Sequence, residues 1–159
     1  MHLFKILSIA ILFCFTASSQ TIPSDREALL KGEGTGQASY GETNGYPGPK
    51  HALDLKSELQ LTPDQVKKTE VVRQGVIGAA TTKGEEIVEA EEELEKLFKS
   101  GSINEKQLRA KLEQIGKLRG ELRFVHLQAH LKMKKILTET QIAKYYDLRS
   151  GSQEKHEGH

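Results

Sequence analysis

Apolar residues recur in steps of three and four between positions 51 and 149, the spacing that places them on one face of an α-helix. Pro63 is the only proline in this stretch. The periodicity is interrupted three times, and the segments between the interruptions predict four helices: a short one at 51–60, a long one at 63–99, a second long one at 103–136 and a short last one at 139–149. We therefore predict an all-α fold.

The second long helix carries the clearer apolar stripe. A short turn at residues 100–102 separates it from the first long helix, so the two are expected to pack as an antiparallel hairpin. A layer of two helices leaves part of each stripe uncovered, and a second copy of the chain is the simplest cover. We therefore expect a homodimer. The stripe residues predicted to form its dimer or client surface are Leu112, Ile115, Leu118, Leu122, Val125 and Met133.

Two of the predicted helix starts have nearly the same sequence, LTPDQ at 61–65 and LTETQ at 137–141. Each combines a leucine, an N-cap threonine and a glutamine three positions after the threonine: Leu61, Thr62 and Gln65 in the first, and Leu137, Thr138 and Gln141 in the second. This is the pattern of a capping box preceded by a hydrophobic staple. Another box is predicted at Ser102 and Glu105. The repeat thus predicts helix starts and carries no chemistry of its own.

Residues 1–19 have the pattern of a signal peptide. Lys5 precedes an apolar run at 6–15, and Ala17 and Ser19 suit the positions before a cleavage site. The run is shorter than the roughly 20 apolar residues that span a membrane. We therefore expect export to the periplasm, with no transmembrane anchor after cleavage.

The rest of the chain divides by composition. Residues 20–50 are rich in glycine and proline and predict a flexible, irregular arm, in which 24–34 has the pattern of a short helix ended by glycine. Residues 51–149 form the predicted helical domain. Residues 150–159 are polar and predict a disordered tail.

Charge and composition exclude several functions. The sequence holds 23 Lys and Arg against 22 Asp and Glu, and loss of Lys5 with the signal peptide leaves the two balanced. A balanced charge argues against a nucleic-acid binder. The single cysteine, Cys14, lies in the predicted signal peptide, so no disulfide is expected. No nucleophile–base arrangement, phosphate-binding loop or dinucleotide fingerprint is present, and we predict that the protein is not an enzyme.

The two Leu-Thr-x-x-Gln motifs, at opposite ends of a helical hairpin and behind a signal peptide, resemble the Spy/CpxP-like periplasmic family. The matching stretches are 44–65, 84–98 and 118–149, although the second motif lacks the usual proline. The family includes refolding chaperones and heavy-metal sensor and zinc-resistance proteins. The resemblance implies a dimer of bent hairpins that forms a cradle for clients.

On this resemblance we expect an ATP-independent chaperone that binds unfolded or misfolded envelope proteins under stress, with no required cofactor. The alternative is a periplasmic sensor or resistance protein for zinc or copper. A third hypothesis is a regulator that binds the periplasmic domain of a sensor protein.

Histidines provide the candidate metal ligands. His126 and His130 are four residues apart on one helix face, a spacing that suits a shared ion. In an antiparallel hairpin, residues just before the first long helix lie near the end of the second, which adds His51 and Asp54. The alternative is that the two helical histidines are ordinary half-buried residues beside the stripe. The tail histidines, His156 and His159, form a weaker candidate site.

Overall fold

The computed structural model describes residues 22–153 and contains only helices over that range. The helices are α1 (Arg26–Leu30), α2 (Ser39–Thr43), α3 (Pro49–Asp54), α4 (Pro63–Lys99), α5 (Glu105–Ile136) and α6 (Glu139–Gln153). The predicted all-α fold is confirmed. The predicted signal peptide and both tail histidines lie outside the described residues. Within them, no helix combines the length and the apolar character needed to cross a membrane.

The long helices α4 and α5 pack together as the predicted antiparallel hairpin. At about 1.5 Å per residue, the 37 residues of α4 extend about 55 Å. Lys111 pairs with Glu93 near the turn, and Lys83 pairs with Glu121 at 2.9 Å further along. Contacts between α4 and α5 therefore occur both near the turn and further along the hairpin.

Both Leu-Thr-x-x-Gln motifs form capping boxes. At the start of α4, the Gln65 backbone N–H donates to Thr62 Oγ1 at 3.2 Å, and the Thr62 N–H donates to Gln65 Oε1 at 3.0 Å. Thr138 and Gln141 form the same two bonds, also at 3.2 and 3.0 Å, at the start of α6. The threonines thus set where these helices begin.

The start of α5 differs from its prediction. Asn104 is the N-cap and Gln107 closes the box, with both bonds at 3.0 Å. Ser102 is held in the turn instead, because its backbone N–H and its hydroxyl both contact the hydroxyl of Ser100, at 3.3 and 2.6 Å. The predicted box at Ser102 and Glu105 is therefore wrong by two residues.

The two motifs also contact each other. Gln65 Nε2 donates to Gln141 Oε1 at 2.8 Å, and Gln141 Nε2 donates to Gln65 Oε1 at 3.1 Å. Gln65 Nε2 further donates to the carbonyl of Ile136 at 3.0 Å, and Gln141 Nε2 to that of Leu59 at 3.2 Å. The repeat therefore joins the start of α4 to the α5–α6 connection.

The buried apolar residues form two clusters, and both include residues that precede α4. The first consists of Leu29, Ala80, Ile87, Val88 and Leu122. The second consists of Ala52, Leu59, Met133, Leu137 and Tyr145. The chain's own N-terminal segment therefore covers part of the hairpin surface that we expected a second copy to cover.

Residues 22–50, predicted as an irregular arm, contain α1 and α2, and α1 packs on α4. At Gly84, an added Cβ would overlap the backbone carbonyl of Leu29, so the close approach of the two helices requires glycine there. Arg119 of α5 pairs with Asp25 at 2.9 Å and with Glu91 at 3.1 Å. One buried leucine and an ion-pair network thus attach the arm to the hairpin.

Candidate functional site

The predicted dimer or client surface is mostly internal. Leu122 is 2% exposed and Met133 is fully buried, and Ile115 is buried as well. Leu118 and Val125 pack against the first apolar cluster. Among the six predicted residues only Leu112 is exposed. The prediction is corrected accordingly: the regular stripe of α5 faces α4 and the N-terminal segment, because those elements cover it within one chain.

Other large apolar side chains face outward. Val71 is 67% exposed and Phe124 is 61% exposed. Phe124 and Leu131 are separated by two helical turns and share one face of α5. The exposed apolar side chains of the long helices are Val71, Ile77, Phe98, Leu112, Phe124 and Leu131. Leu112 and Phe98 belong to the apolar stripes of their helices, whereas the other four fall outside the stripes, which is why the sequence pattern missed them.

The three helical histidines line one cavity. The cavity has a volume of about 580 Å³ and lies between the segment at 31–51 and the facing parts of α4 and α5. His51, His126 and His130 all contribute to its wall, together with Glu42 and Arg73. The antiparallel arrangement therefore brings His51 to the helical pair, as the sequence predicts. Asp54 is not part of the wall and instead accepts from Lys50 at 2.8 Å.

The ring orientation of His130 is fixed by the backbone. Its Nδ1 atom lies 2.8 Å from the carbonyl oxygen of Tyr46, and a carbonyl only accepts, so Nδ1 carries the proton and donates. In the neutral ring, Nε2 therefore presents a lone pair. Gly41 and Gly48 lie close to this ring, and an added Cβ would come within 3.1 and 3.2 Å of it, respectively.

His51 faces Glu42, a residue that the sequence did not single out. His51 Nε2 lies 3.4 Å from Glu42 Oε1, and His51 Nδ1 lies 3.7 Å from Asp54 Oδ2. Burial lowers the pKa of His51, and the nearby Arg149 lowers it further. Glu42 also lies 3.7 Å from Arg149. The sequence pattern did not identify Glu42, because this residue lies in the glycine-rich segment and is not part of a recognisable ligand motif.

His126 is buried without a hydrogen-bond partner. His126 is only 7% exposed, and its Nε2 atom has no hydrogen-bond partner among the described residues. Burial lowers its pKa, and the neighbouring His130 lowers it further. A buried polar atom without a partner costs free energy, so His126 Nε2 lowers the stability of the fold at this point of the cavity wall.

The four predicted metal ligands do not form a preformed site. Over residues 22–153, no three His, Cys, Asp or Glu side chains lie close enough together to hold a metal ion. Asp54 pairs with Lys50 and lies 3.7 Å from His51 Nδ1, while Glu42 lies 3.4 Å from the other ring nitrogen, His51 Nε2. The cavity thus gathers three of the predicted residues and one that was not predicted.

No protein-family model, no curated protein and no solved structure matches this chain. The resemblance to the Spy/CpxP-like family stays a prediction from its two motifs. Function must therefore be inferred from the surfaces and cavities of the molecule.

Proposed function

We propose that the protein is a periplasmic, non-enzymatic binding protein that holds partly unfolded envelope proteins without ATP, in the manner of a chaperone. The observation that carries this proposal is the outward-facing set of large apolar side chains on two long helices, of which Val71 and Phe124 are the most exposed. Apolar groups displayed in this way mark interaction surfaces. We propose the homodimer as the working form.

Charged residues support the same function. On α5, Arg123 precedes Phe124 and Lys132 follows Leu131, and all four are exposed. Charge near apolar contacts speeds the encounter with a partner, while the apolar contacts prolong the complex. A helical scaffold of this kind would bind through many weak contacts, which suits client proteins that have no sequence motif in common.

The test is an aggregation assay with a chemically denatured enzyme diluted into buffer without nucleotide. We expect the wild-type protein to lower light scattering at sub-stoichiometric ratios, and the double variant Phe124→Gln/Leu131→Gln to lose most of that effect. Glu113→Gln/Lys106→Gln is the matched control, since both residues are exposed on the same helix. Scattering that the wild-type protein leaves unchanged across a concentration series would contradict the proposal.

A second candidate function is binding of zinc or copper in the histidine-lined cavity, and the tautomer of His130 favours it. Metal-binding histidines commonly donate one ring N–H to a backbone carbonyl and bind with the other nitrogen. At Gly48, an added Cβ would lie 3.6 Å from His130 Nε2 and 3.3 Å from Glu42 Oε1. Glu42 therefore lies next to both His51 and His130, and we propose these three residues as the ones that would bind the ion.

Calorimetry with Zn²⁺ tests this candidate. We expect binding in the micromolar range or tighter, loss of binding in His126→Ala/His130→Ala, and weaker binding in Glu42→Gln. The variant His156→Ala/His159→Ala serves as the control for the tail. If the tail variant loses binding and the cavity variants keep it, the cavity is not the metal site.

A further inference from the structure

A second groove lies between the first turns of α4 and the last turns of α5, and shares no lining residue with the histidine cavity. Its volume is about 490 Å³. Apolar side chains line part of its wall, namely Val71, Val72 and Ile136, and lysines line another part, namely Lys67, Lys68, Lys132 and Lys135. We call this feature the lysine groove.

The charge of the lysine groove is not balanced within the chain. Asp64 is the one acidic residue in its wall, and it pairs with Lys68 at 2.6 Å. Lys67, Lys132 and Lys135 form no ion pair with any described residue. Elsewhere on the hairpin, Lys83, Lys99 and Lys111 each pair with a glutamate. In a chain with almost equal numbers of acidic and basic residues, these free ammonium groups form a local positive site.

We propose that the lysine groove binds an extended peptide segment that carries an apolar side chain flanked by acidic ones. The apolar side chain would lie against Val71 and Ile136, and the flanking carboxylates would pair with the free lysines. This inference rests on the proposed function, because it names the kind of client segment that the hairpin prefers.

The apolar wall decides between a peptide and other anions. A polyanion without apolar groups gains nothing from Val71, which is 67% exposed beside the lysines. The groove is open, and its lining covers only residues 64–72 of α4 and 132–136 of α5, a stretch that a short extended peptide matches in length, whereas a membrane would contact a wider area. A peptide supplies both an apolar side chain and carboxylates at the spacing of neighbouring residues. The combination of wall and charge therefore favours a peptide.

The probe is a fluorescein-labelled peptide, Gly-Asp-Glu-Leu-Asp-Glu-Gly, followed by fluorescence anisotropy with the full protein. We expect saturable binding that weakens as salt is raised. Replacing the leucine with serine should weaken binding about tenfold, since the peptide then loses the burial of its apolar side chain against the groove wall. A peptide with lysines in place of its acidic residues should not bind.

Protein variants locate the site. Lys67→Gln/Lys135→Gln should weaken peptide binding up to about tenfold, because two charge pairs with the peptide are lost. Lys106→Gln/Lys144→Gln is the matched control, since both lysines are exposed outside the groove and should leave binding unchanged. Equal loss in both variants would overturn the assignment to the groove. Circular dichroism of each variant confirms that it is folded.

Two further comparisons separate this inference from its alternatives. Vesicles containing anionic lipid, tested by co-sedimentation, should not bind, and binding of vesicles without binding of peptide would overturn the peptide assignment. If the acidic peptide fails to bind while the protein still suppresses aggregation, the lysine groove inference alone is wrong. If both fail, the proposed function is wrong as well.

Discussion

Gln65 and Gln107 occupy the same third position in two capping boxes, but their side chains have different surroundings. Each side-chain oxygen accepts from the backbone N–H of its N-cap residue at 3.0 Å. Gln65 also donates from Nε2 to Gln141 and to the carbonyl of Ile136. Gln107 makes no such bond to another element among the described residues. The two glutamines therefore separate the effect of capping from that of the link between motifs.

We expect Gln107→Ala to cost about 1 kcal/mol of unfolding free energy, the usual cost of losing a cap bond. Gln65→Ala should cost about 2–3 kcal/mol, since it also removes the two bonds with Gln141 and the bond to the Ile136 carbonyl. Urea unfolding followed by circular dichroism measures both. Equal costs would show that the amide pair between the motifs adds nothing to stability.

Protonation of His51 and His126 should make the free energy of unfolding depend on pH. Both have a pKa lowered by burial, so the unfolded chain binds protons more readily than the folded chain below the ordinary value of 6.5. Their contribution is complete above that pH and is lost as the pH falls toward the lowered folded pKa. We expect the midpoint of urea unfolding to fall between pH 7 and pH 5, and to fall less in His126→Gln. An unchanged slope in that variant would exclude His126 as a source.

The attachment of α1 to α4 depends on one glycine. The carbonyl of Leu29 lies against Gly84, where there is no room for a side chain, while an added Cβ at Gly75 would meet nothing within 4 Å. The two glycines are in the same helix, so they share the same intrinsic helix propensity. Only Gly84 has a neighbouring element to displace.

Replacing both glycines in turn tests the attachment of the arm. Gly75→Ala should stabilise the protein by about 1 kcal/mol, the difference in helix propensity. Gly84→Ala should instead destabilise it, because moving α1 away exposes Leu29, whose burial contributes about 1.5–3 kcal/mol. Thermal unfolding gives the sign, and limited proteolysis near Arg26 reports release of the arm. Two stabilising substitutions would mean that α1 is not held by this contact.

The whole molecule is expected to associate as a homodimer, which the sequence predicts from apolar surface that one hairpin leaves uncovered. The N-terminal segment covers part of that surface, and Phe124 and Leu131 remain exposed. Sedimentation equilibrium over a roughly hundredfold concentration range should give a mass approaching twice that of one chain. A mass of one chain throughout would mean that the N-terminal segment provides the cover that was expected of a partner.

The hairpin could be predicted because its periodicity is long and its helix starts are marked by strong capping residues. Leu29 could not be assigned to the core, since two adjacent leucines in a five-residue helix give no periodic signal. The shared cavity of His51 and His130 follows from antiparallel packing, whereas Glu42 depends on how the glycine-rich segment folds. Ser102 is a residue type that often forms an N-cap, but in the structure its hydroxyl contacts the hydroxyl of Ser100 in the turn. Sequence reasoning thus located the helices and missed what the arm contributes.

The reciprocal bonds between Gln65 and Gln141, which are 76 residues apart, have a consequence for how such chains change over time. Each amide both donates to the other and accepts from it, and a glutamate at either position would lack the donor. A substitution in one motif therefore removes a reason to keep the other. Among descendants of this sequence, we therefore expect positions 65 and 141 to vary together, so that both glutamines are retained or both are replaced.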